Sequence, residues 1–501
     1  MPMTASYKFN FNLYFSIVLV VLVAHFLLNF FASPYVLFSY ILLSGIVFFG
    51  VTFYDLNKSL FLILIYFLIE GQGRVVTGYN PFARVAFDLV MLLVILSHVV
   101  RTRRLVPLSN LPHPISLLII CHLLIFTLSL FNPSGVGAWL SLPMAKVYVF
   151  PLLVFLMFLD SSIDFDSLEF KRAVYGLLLC IILIGIISLQ QFQQGMPMMN
   201  KISEYYSSVG HLERFKLYSF RPFGTSHAAG GPSAYLYLTL GMLFLVPLPR
   251  WLLAMAIGLS IVVLILCQVR SSMILYGVMC ISFLAINFLS SSSKVRDFLR
   301  GLFLMSLFGT LIFITFSLIS TNKDQKHMDL IVNRSLSIFE KKTFKESRQG
   351  FDVIFREATK ILQNHPFGFG PGRTYPVTTS MAEEIEKDPV YDSNYTWNYD
   401  NLWYTLIIEF GYGAIFYCLL ILAMPLYLIS MAVSVFRVKK INSEFKILFI
   451  SGLTVSLITL ANWGGIGIPY NPVSFMFWFW SAAGFRTFWK FKKSFSPRTM
   501  P

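Results

Sequence analysis

The chain has 501 residues, of which 56% are hydrophobic, 17% aromatic and only 13% charged, with 51 phenylalanines. Soluble domains carry about 25% charged residues, so the composition excludes a water-soluble enzyme and points to an all-α, polytopic membrane helix bundle. The net charge of +15 would suit nucleic acid in a soluble chain; in a membrane protein its placement matters more than its sum, and no nucleic-acid partner is expected.

A helix needs about 20 apolar residues to cross the hydrocarbon core. About 14 runs qualify, near 11–31, 35–54, 58–70, 84–100, 114–132, 143–159, 172–191, 233–248, 252–268, 271–289, 300–320, 403–434, 446–462 and 471–488. The first begins near Phe11 without a small-residue cleavage site, which predicts a retained helix rather than a signal peptide. Residues 1–320 are thus expected to form a transmembrane bundle with an outer loop at 192–232. Residues 321–402 form a large, partly helical extracytoplasmic loop, and 403–501 hold the last spans and a basic tail.

Lys and Arg in short loops set the orientation. With a cytoplasmic N-terminus, that side receives Lys58, Arg101, Arg103, Arg104, Lys171, Arg172, Arg250, Lys294, Arg296 and Arg300. It also receives "RVKK" at 437–440 and the tail residues Arg486, Lys490, Lys492 and Lys493. Both termini are then cytoplasmic and both long loops external. Cys121, Cys180, Cys267, Cys280 and Cys418 all fall inside apolar runs. They read as small core hydrophobes, without the spacing of a metal site.

In the first long loop, "HLERFKLYSFRPFGTSHAAGG" clusters Arg214, Lys216 and Arg221 just before a span. This suits either a solvated loop or an anion site, and its glycines permit close backbone approach. His211 and His227 match no metal spacing and read as polar loop residues. Arg270 follows, in "CQVRSSMILYG", at a very tight external hairpin. A snorkelling interfacial arginine accounts for it. So does a functional group at membrane depth, because a guanidinium binds phosphate bidentately.

The second long loop holds 11 basic and 12 acidic side chains. In "KESRQGFDVIFREATKILQNHP", Phe351, Ile354, Phe355, Ala358, Ile361 and Leu362 recur at helical spacing. This predicts an amphipathic helix that ends at His365-Pro366 and either lies on the membrane or lids a cavity. Arg348, Arg356 and Lys360 lie off its apolar stripe. Next comes "PFGFGPGRTYP", with Gly368, Gly370 and Gly372 alternating before Arg373.

"NYDNLWYTLIIEFGYGA" opens the next apolar run. Asp400 or Asn401 suits a helix N-cap. Glu409 lies deep in the run, where a carboxylate costs about 2.5–3.5 kcal/mol, and so calls for a cation or hydrogen-bond donors. Asp88 is a similar case with Arg84 four residues earlier. "DFD" at 164–166 lacks a nucleotide-binding domain around it, and "GFGPG" lacks a βαβ unit. No Walker loop, HExxH or Cys/His cluster occurs, so neither metal nor cofactor is expected.

The ordered set "RPFGTSHAAGG", "VRSS", "HPFGFGPG" and "DNLWYTLIIEFGYGA" resembles the O-antigen ligase/polymerase family of bacterial membrane glycosyltransferases. The likeness covers roughly 211–414 by motif and the remainder by hydropathy. It implies that Arg221 and Arg270 hold the pyrophosphate of an undecaprenyl-diphosphate-linked glycan. It also implies that Gly368, Gly370, Gly372, Asn401 and Glu409 line the substrate site, and the loop cations Arg214, Arg348 and Arg373 are expected to bind substrate with them. Asp400 stands where ligases carry histidine, which favours the polymerase branch and leaves Asp400 as general base or as a group that orients one.

The resulting expectation is a repeat-unit polymerase of O-antigen-type polysaccharide in the bacterial inner membrane, with its active site facing outward. Its partners would be the lipid-linked glycans, membrane lipids and a chain-length regulator protein. A ligase that transfers the glycan to lipid A-core is one alternative, and a lipid-linked oligosaccharide flippase is another.

Overall fold

The computed structural model describes residues 81–102, 108, 111–160, 165, 167–194, 221–226, 231–246, 248–290, 351–374, 401–439, 441–462 and 473–495, plus short pieces within 20–72 and 302–314. Among these residues there are helices and turns and no strand, so the fold is all-α. In chain order the helices are α1 (Pro81–Thr102), α2 (His113–Ser129), α3 (Phe150–Asp160), α4 (Leu168–Gln194), α5 (Pro232–Leu245) and α6 (Arg250–Cys267). They continue as α7 (Arg270–Ser290), α8 (Phe351–Asn364), α9 (Leu402–Phe410), α10 (Ala414–Lys439), α11 (Ser443–Ala461) and α12 (Val473–Phe495). Short helical turns over Ala138–Ser141, Leu142–Met144 and Ala145–Tyr148 lead into α3.

Four described stretches are long and apolar enough to cross a membrane: Ala138–Asp160, Phe170–Gln193, Leu402–Val438 and Ser443–Ala461. Helices occupy the runs expected from 84–100 to 271–289 and from 403–434 to 471–488. The runs at 11–31, 35–54, 58–70 and 300–320 lie largely outside the described residues, as does most of both long loops.

The chain divides into two compact units, each assembled from distant segments. The first comprises Met1–His98, Ser162–Gln268 and Val295–Val332. Here α4, α5 and α6 pack on one another. α5 is apolar all round and buried along almost its whole length, as expected of a helix in the centre of a bundle.

The second unit comprises Val99–Ser161, Val269–Lys294 and Asn333–Pro501. α10, α11 and α12 pack on one another, α3 packs on α12, α2 on α10 and α7 on α11. Phenylalanines interlock within this core. Phe155 meets Trp478 at 5.3 Å between ring centroids, and Phe158 meets Phe479 edge-on at 5.0 Å. Arg486 donates to the carbonyl of Leu159 at 2.7 Å, supplying a partner to one of the orphan carbonyls at the end of α3. Leu117, Leu124 and Leu128 on α2 and Ile415, Leu419, Leu422 and Leu426 on α10 remain exposed. These aliphatic faces are what a lipid solvent requires.

The run expected as one helix over 403–434 is two. Gly411, at φ 55°, ends α9, and a turn of 3-10 helix over Gly411–Gly413 starts α10 afresh. The 26 residues of α10 reach about 39 Å at 1.5 Å per residue, enough for a hydrocarbon core of about 30 Å. α9 is therefore surplus to the crossing and is available to build a site.

The amphipathic helix expected before His365-Pro366 is α8. Its Ala358 and Ile361 pack with Phe369, Tyr404 and Ile408, and Arg356 and Lys360 are exposed as their positions off the stripe require. Phe355 departs from the expectation. It belongs to the apolar stripe by spacing, yet it is 73% exposed.

Candidate functional site

Pro366 removes a backbone donor and stops α8; the last helical bond runs from the amide of His365 to the carbonyl of Ile361 at 2.6 Å. The glycine loop that follows folds back onto the end of α9. The amide of Phe369 donates to the carbonyl of Ile408 at 2.8 Å, that of Gly370 to Glu409 at 2.9 Å, and that of Tyr412 to Pro366 at 2.9 Å. This knot needs glycine at two points. A Cβ on Gly368 (φ 69°) would lie 2.6 Å from the carbonyl of Glu409, and one on Gly411 would run into the carbonyl of Pro366.

Glu409 is fully buried at the centre of the knot. Tyr148 donates its hydroxyl to one carboxylate oxygen at 2.7 Å, and Thr374 donates its hydroxyl to the other at 2.6 Å. The amide of Thr374 lies at 3.3 Å, and the Gly372 backbone adds a further hydrogen bond. The carboxylate thus meets hydroxyls and amides, the second of the two solutions its sequence position allowed. Tyr148 is itself held by aromatic neighbours, edge-on to Phe410 at 5.0 Å and to Tyr417 at 5.9 Å. His122 stacks on Tyr417 at 4.1 Å, with its Nε2 3.3 Å from the carbonyl of Tyr148.

A third segment joins from the turn after α2. Asn132 donates to the carbonyls of Phe367 at 3.2 Å and Gly368 at 2.9 Å, and its Oδ1 accepts from the amide of Ser134 at 3.0 Å. Arg373 is buried, with its guanidinium 5.3 Å from the centroid of the Phe369 ring.

At the other end of α9 the N-cap is Asn401, whose Oδ1 accepts from the amide of Tyr404 at 3.1 Å. Leu402 donates its amide to the carbonyl of Asn462, at the end of α11, at 3.0 Å. Asn401 is fully buried, and its Nδ2 has no hydrogen-bond partner among the described residues. The same holds for Nε of half-buried Arg270, the first residue of α7.

No protein-family model matches the chain, and no curated protein does either. The site's chemistry has to come from its own residues.

The second unit brings Gly368, Gly370, Gly372, Arg373 and Glu409 into one knot and places Asn401 about 12 Å away along α9. Arg270 belongs to the same unit, on a helix that packs on α11. Arg221 belongs to the first unit. There, Gln191 near the end of α4 accepts from the amides of Phe223 at 2.8 Å and Gly224 at 2.7 Å and donates to the carbonyl of Gly224 at 3.0 Å. This clamp fixes the turn that follows Arg221. Asp400, Arg214 and Arg348 lie outside the described residues, as do His211 and His227.

Sequence reasoning missed Tyr148, Thr374, Asn132 and Gln191. Gln191 carried a signal, since "QQFQQ" is a polar cluster closing an apolar run. Asn132 carried one in the turn-forming "NPSG". Tyr148 carried none, because a hydroxyl inside an aromatic-rich span looks like its neighbours. Among the described residues no cluster of three or more His, Cys, Asp or Glu could hold a metal ion.

Proposed function

We propose that this protein is a membrane glycosyltransferase that polymerises the repeat units of an O-antigen-type polysaccharide from undecaprenyl-diphosphate carriers. The observation that carries the reading is the knot. "HPFGFGPG" and "DNLWYTLIIEFGYGA", two of the four elements of the resemblance, are joined by backbone hydrogen bonds from Phe369 and Gly370 to Ile408 and Glu409. Asn132, Pro366 and Asn462, which share this knot and the start of α9, come from or border loops that the charge pattern puts outside. The reading includes about 14 spans, both termini in the cytoplasm, the bacterial inner membrane and an outward-facing site.

In the proposed reaction the terminal sugar hydroxyl of one lipid-linked glycan attacks the anomeric carbon of another. The new glycosidic C–O bond forms as the bond to diphosphate breaks, and undecaprenyl diphosphate leaves with the electron pair. The hydroxyl proton passes to the Asp400 carboxylate as general base. A single displacement of this kind inverts the anomeric centre. Arg270 neutralises the leaving diphosphate electrostatically, and the resemblance assigns Arg221 the same task. Because Asn401 supplies the helix cap, the adjacent carboxylate is not required for it. The glycine loop shapes the cavity wall, and Glu409 holds that loop in place. A chain-length regulator protein is the expected partner.

Deleting the gene and resolving the surface glycan on a gel tests the proposal. A single repeat on the core supports it. Intact lipid-linked polymer with no attached glycan indicates a ligase instead, and loss of outward-facing lipid-linked repeats indicates a flippase. Asp400→Asn and Arg270→Ala should each reproduce the deletion at normal membrane levels.

A further inference from the structure

The knot carries a second feature that the glycan chemistry does not use. Three aromatic side chains leave it toward the outside: Phe131 is 72% exposed, Phe367 80% and Tyr412 62%. They are fixed close together. Asn132, next to Phe131, binds the carbonyl of Phe367 at 3.2 Å, and the amide of Tyr412 binds the carbonyl of Pro366, next to Phe367, at 2.9 Å. Trp139, 86% exposed, lies at the start of the neighbouring span, and Phe355, 73% exposed, projects from α8.

This rim continues an aliphatic surface. Below Phe131 the exposed face of α2 runs through Leu128, Leu124 and Leu117, and beyond Tyr412 the exposed face of α10 runs through Ile415, Leu419, Leu422 and Leu426. Aliphatic residues therefore give way to aromatic ones where α2 ends and α10 begins. Aromatic rings favour the membrane–water interface because an apolar body and a polar edge suit the headgroup layer. On α8, Arg356 and Lys360 are exposed together with Phe355, and in an interfacial helix such cations occupy the polar face, on the water side of the apolar one.

We infer that α8 and the glycine loop are a membrane-interface element, held in the external lipid headgroup layer by Phe367, Phe131, Tyr412, Trp139 and Phe355. The occupant of this exposed aromatic surface is the bilayer in which α2 and α10 stand. The knot thereby sets the depth of the glycine loop relative to lipid phosphates, with Asn132 as the strut between span and loop. The inference rests on the membrane placement of α2 and α10 and on no assumption about glycan transfer.

Spin labels test it in the full chain reconstituted in vesicles of phosphatidylethanolamine and phosphatidylglycerol. The five native cysteines are replaced by alanine, and Phe367→Cys, Phe131→Cys or Lys360→Cys supplies the label. Labels at 367 and 131 should collide readily with oxygen and poorly with a water-soluble nickel chelate, while the label at 360 does the reverse. Equal nickel access at 367 and 360 overturns the inference. If the cysteine-free chain does not insert, benzoylphenylalanine at 367 or 360 in the native-cysteine chain gives the same reading. Lipid adducts at 367 and not at 360 support it; adducts at neither overturn it. The measurement needs no glycan donor, so its failure is distinct from a failure of the polymerase reading.

Discussion

The hydroxyl of Tyr148 and the carboxylate of Glu409, 2.7 Å apart, tie the helical turn that leads into α3 to the last turn of α9. The other oxygen of the same carboxylate takes the hydroxyl of Thr374. One side chain thus joins three segments that are remote in sequence.

Tyr148→Phe should lower the thermal unfolding midpoint in detergent. It leaves a fully buried carboxylate oxygen short of a donor, at a cost of about 1–3 kcal/mol. Thr374→Val should act in the same direction, and the two effects should not add, because both substitutions release the same group.

Gly368→Ala and Gly411→Ala should each cripple the protein. Both positions have positive φ and backbone within the space of a Cβ. Reduced levels of folded protein after purification, measured by size-exclusion chromatography, check this. Gly277→Ala on α7, where a Cβ meets nothing within 4 Å, serves as the control and should be neutral.

Asn401 has two separable roles. Asn401→Ser keeps an N-cap of comparable strength, and Asn401→Ala loses about 0.5–2 kcal/mol of helix stability. Under the proposed function both lose the Nδ2 donor, so both should transfer glycan poorly while only the alanine variant melts early. Full turnover by Asn401→Ser would confine the residue to capping.

Arg270→Lys retains the charge and loses the planar fork. Under the proposed function, bidentate recognition of phosphate should therefore fall even though the local field is kept. The expected signature is polymerisation reduced by about tenfold or more, the equivalent of one charge-assisted hydrogen bond. Gel profiles of surface glycan shifted to short chains provide the readout.

Much of the fold was legible because apolar length and turn chemistry leave little choice. The end of α8 follows from His365-Pro366, and the pairing of Ala358 with Ile361 follows from helical spacing. The break at Gly411 was not legible, since the run continues apolar on both sides of Glu409 and the reason for the break is the carbonyl of Pro366, more than forty residues earlier. Phe355 was misplaced for a related cause. Spacing identifies an apolar stripe, but not how wide a strip its neighbour covers. In the site, the glycines and Glu409 were legible as anomalies in lipid. Their partners Tyr148, Thr374 and Asn132 were not, because each is ordinary in its own surroundings and acquires meaning only by contact.

Both ends of the segment 375–400 leave from fixed points. Thr374 is bound to Glu409 at one end of α9, and Asn401 is bound to Tyr404 at the other, about 12 Å away. A chain with anchored ends pays a closure entropy that grows only logarithmically, about 0.6 kcal/mol for each doubling of length. The knot has already set that boundary condition. Insertions between Thr374 and Asn401 should therefore be thermodynamically inexpensive, while the framework around Glu409 stays the same.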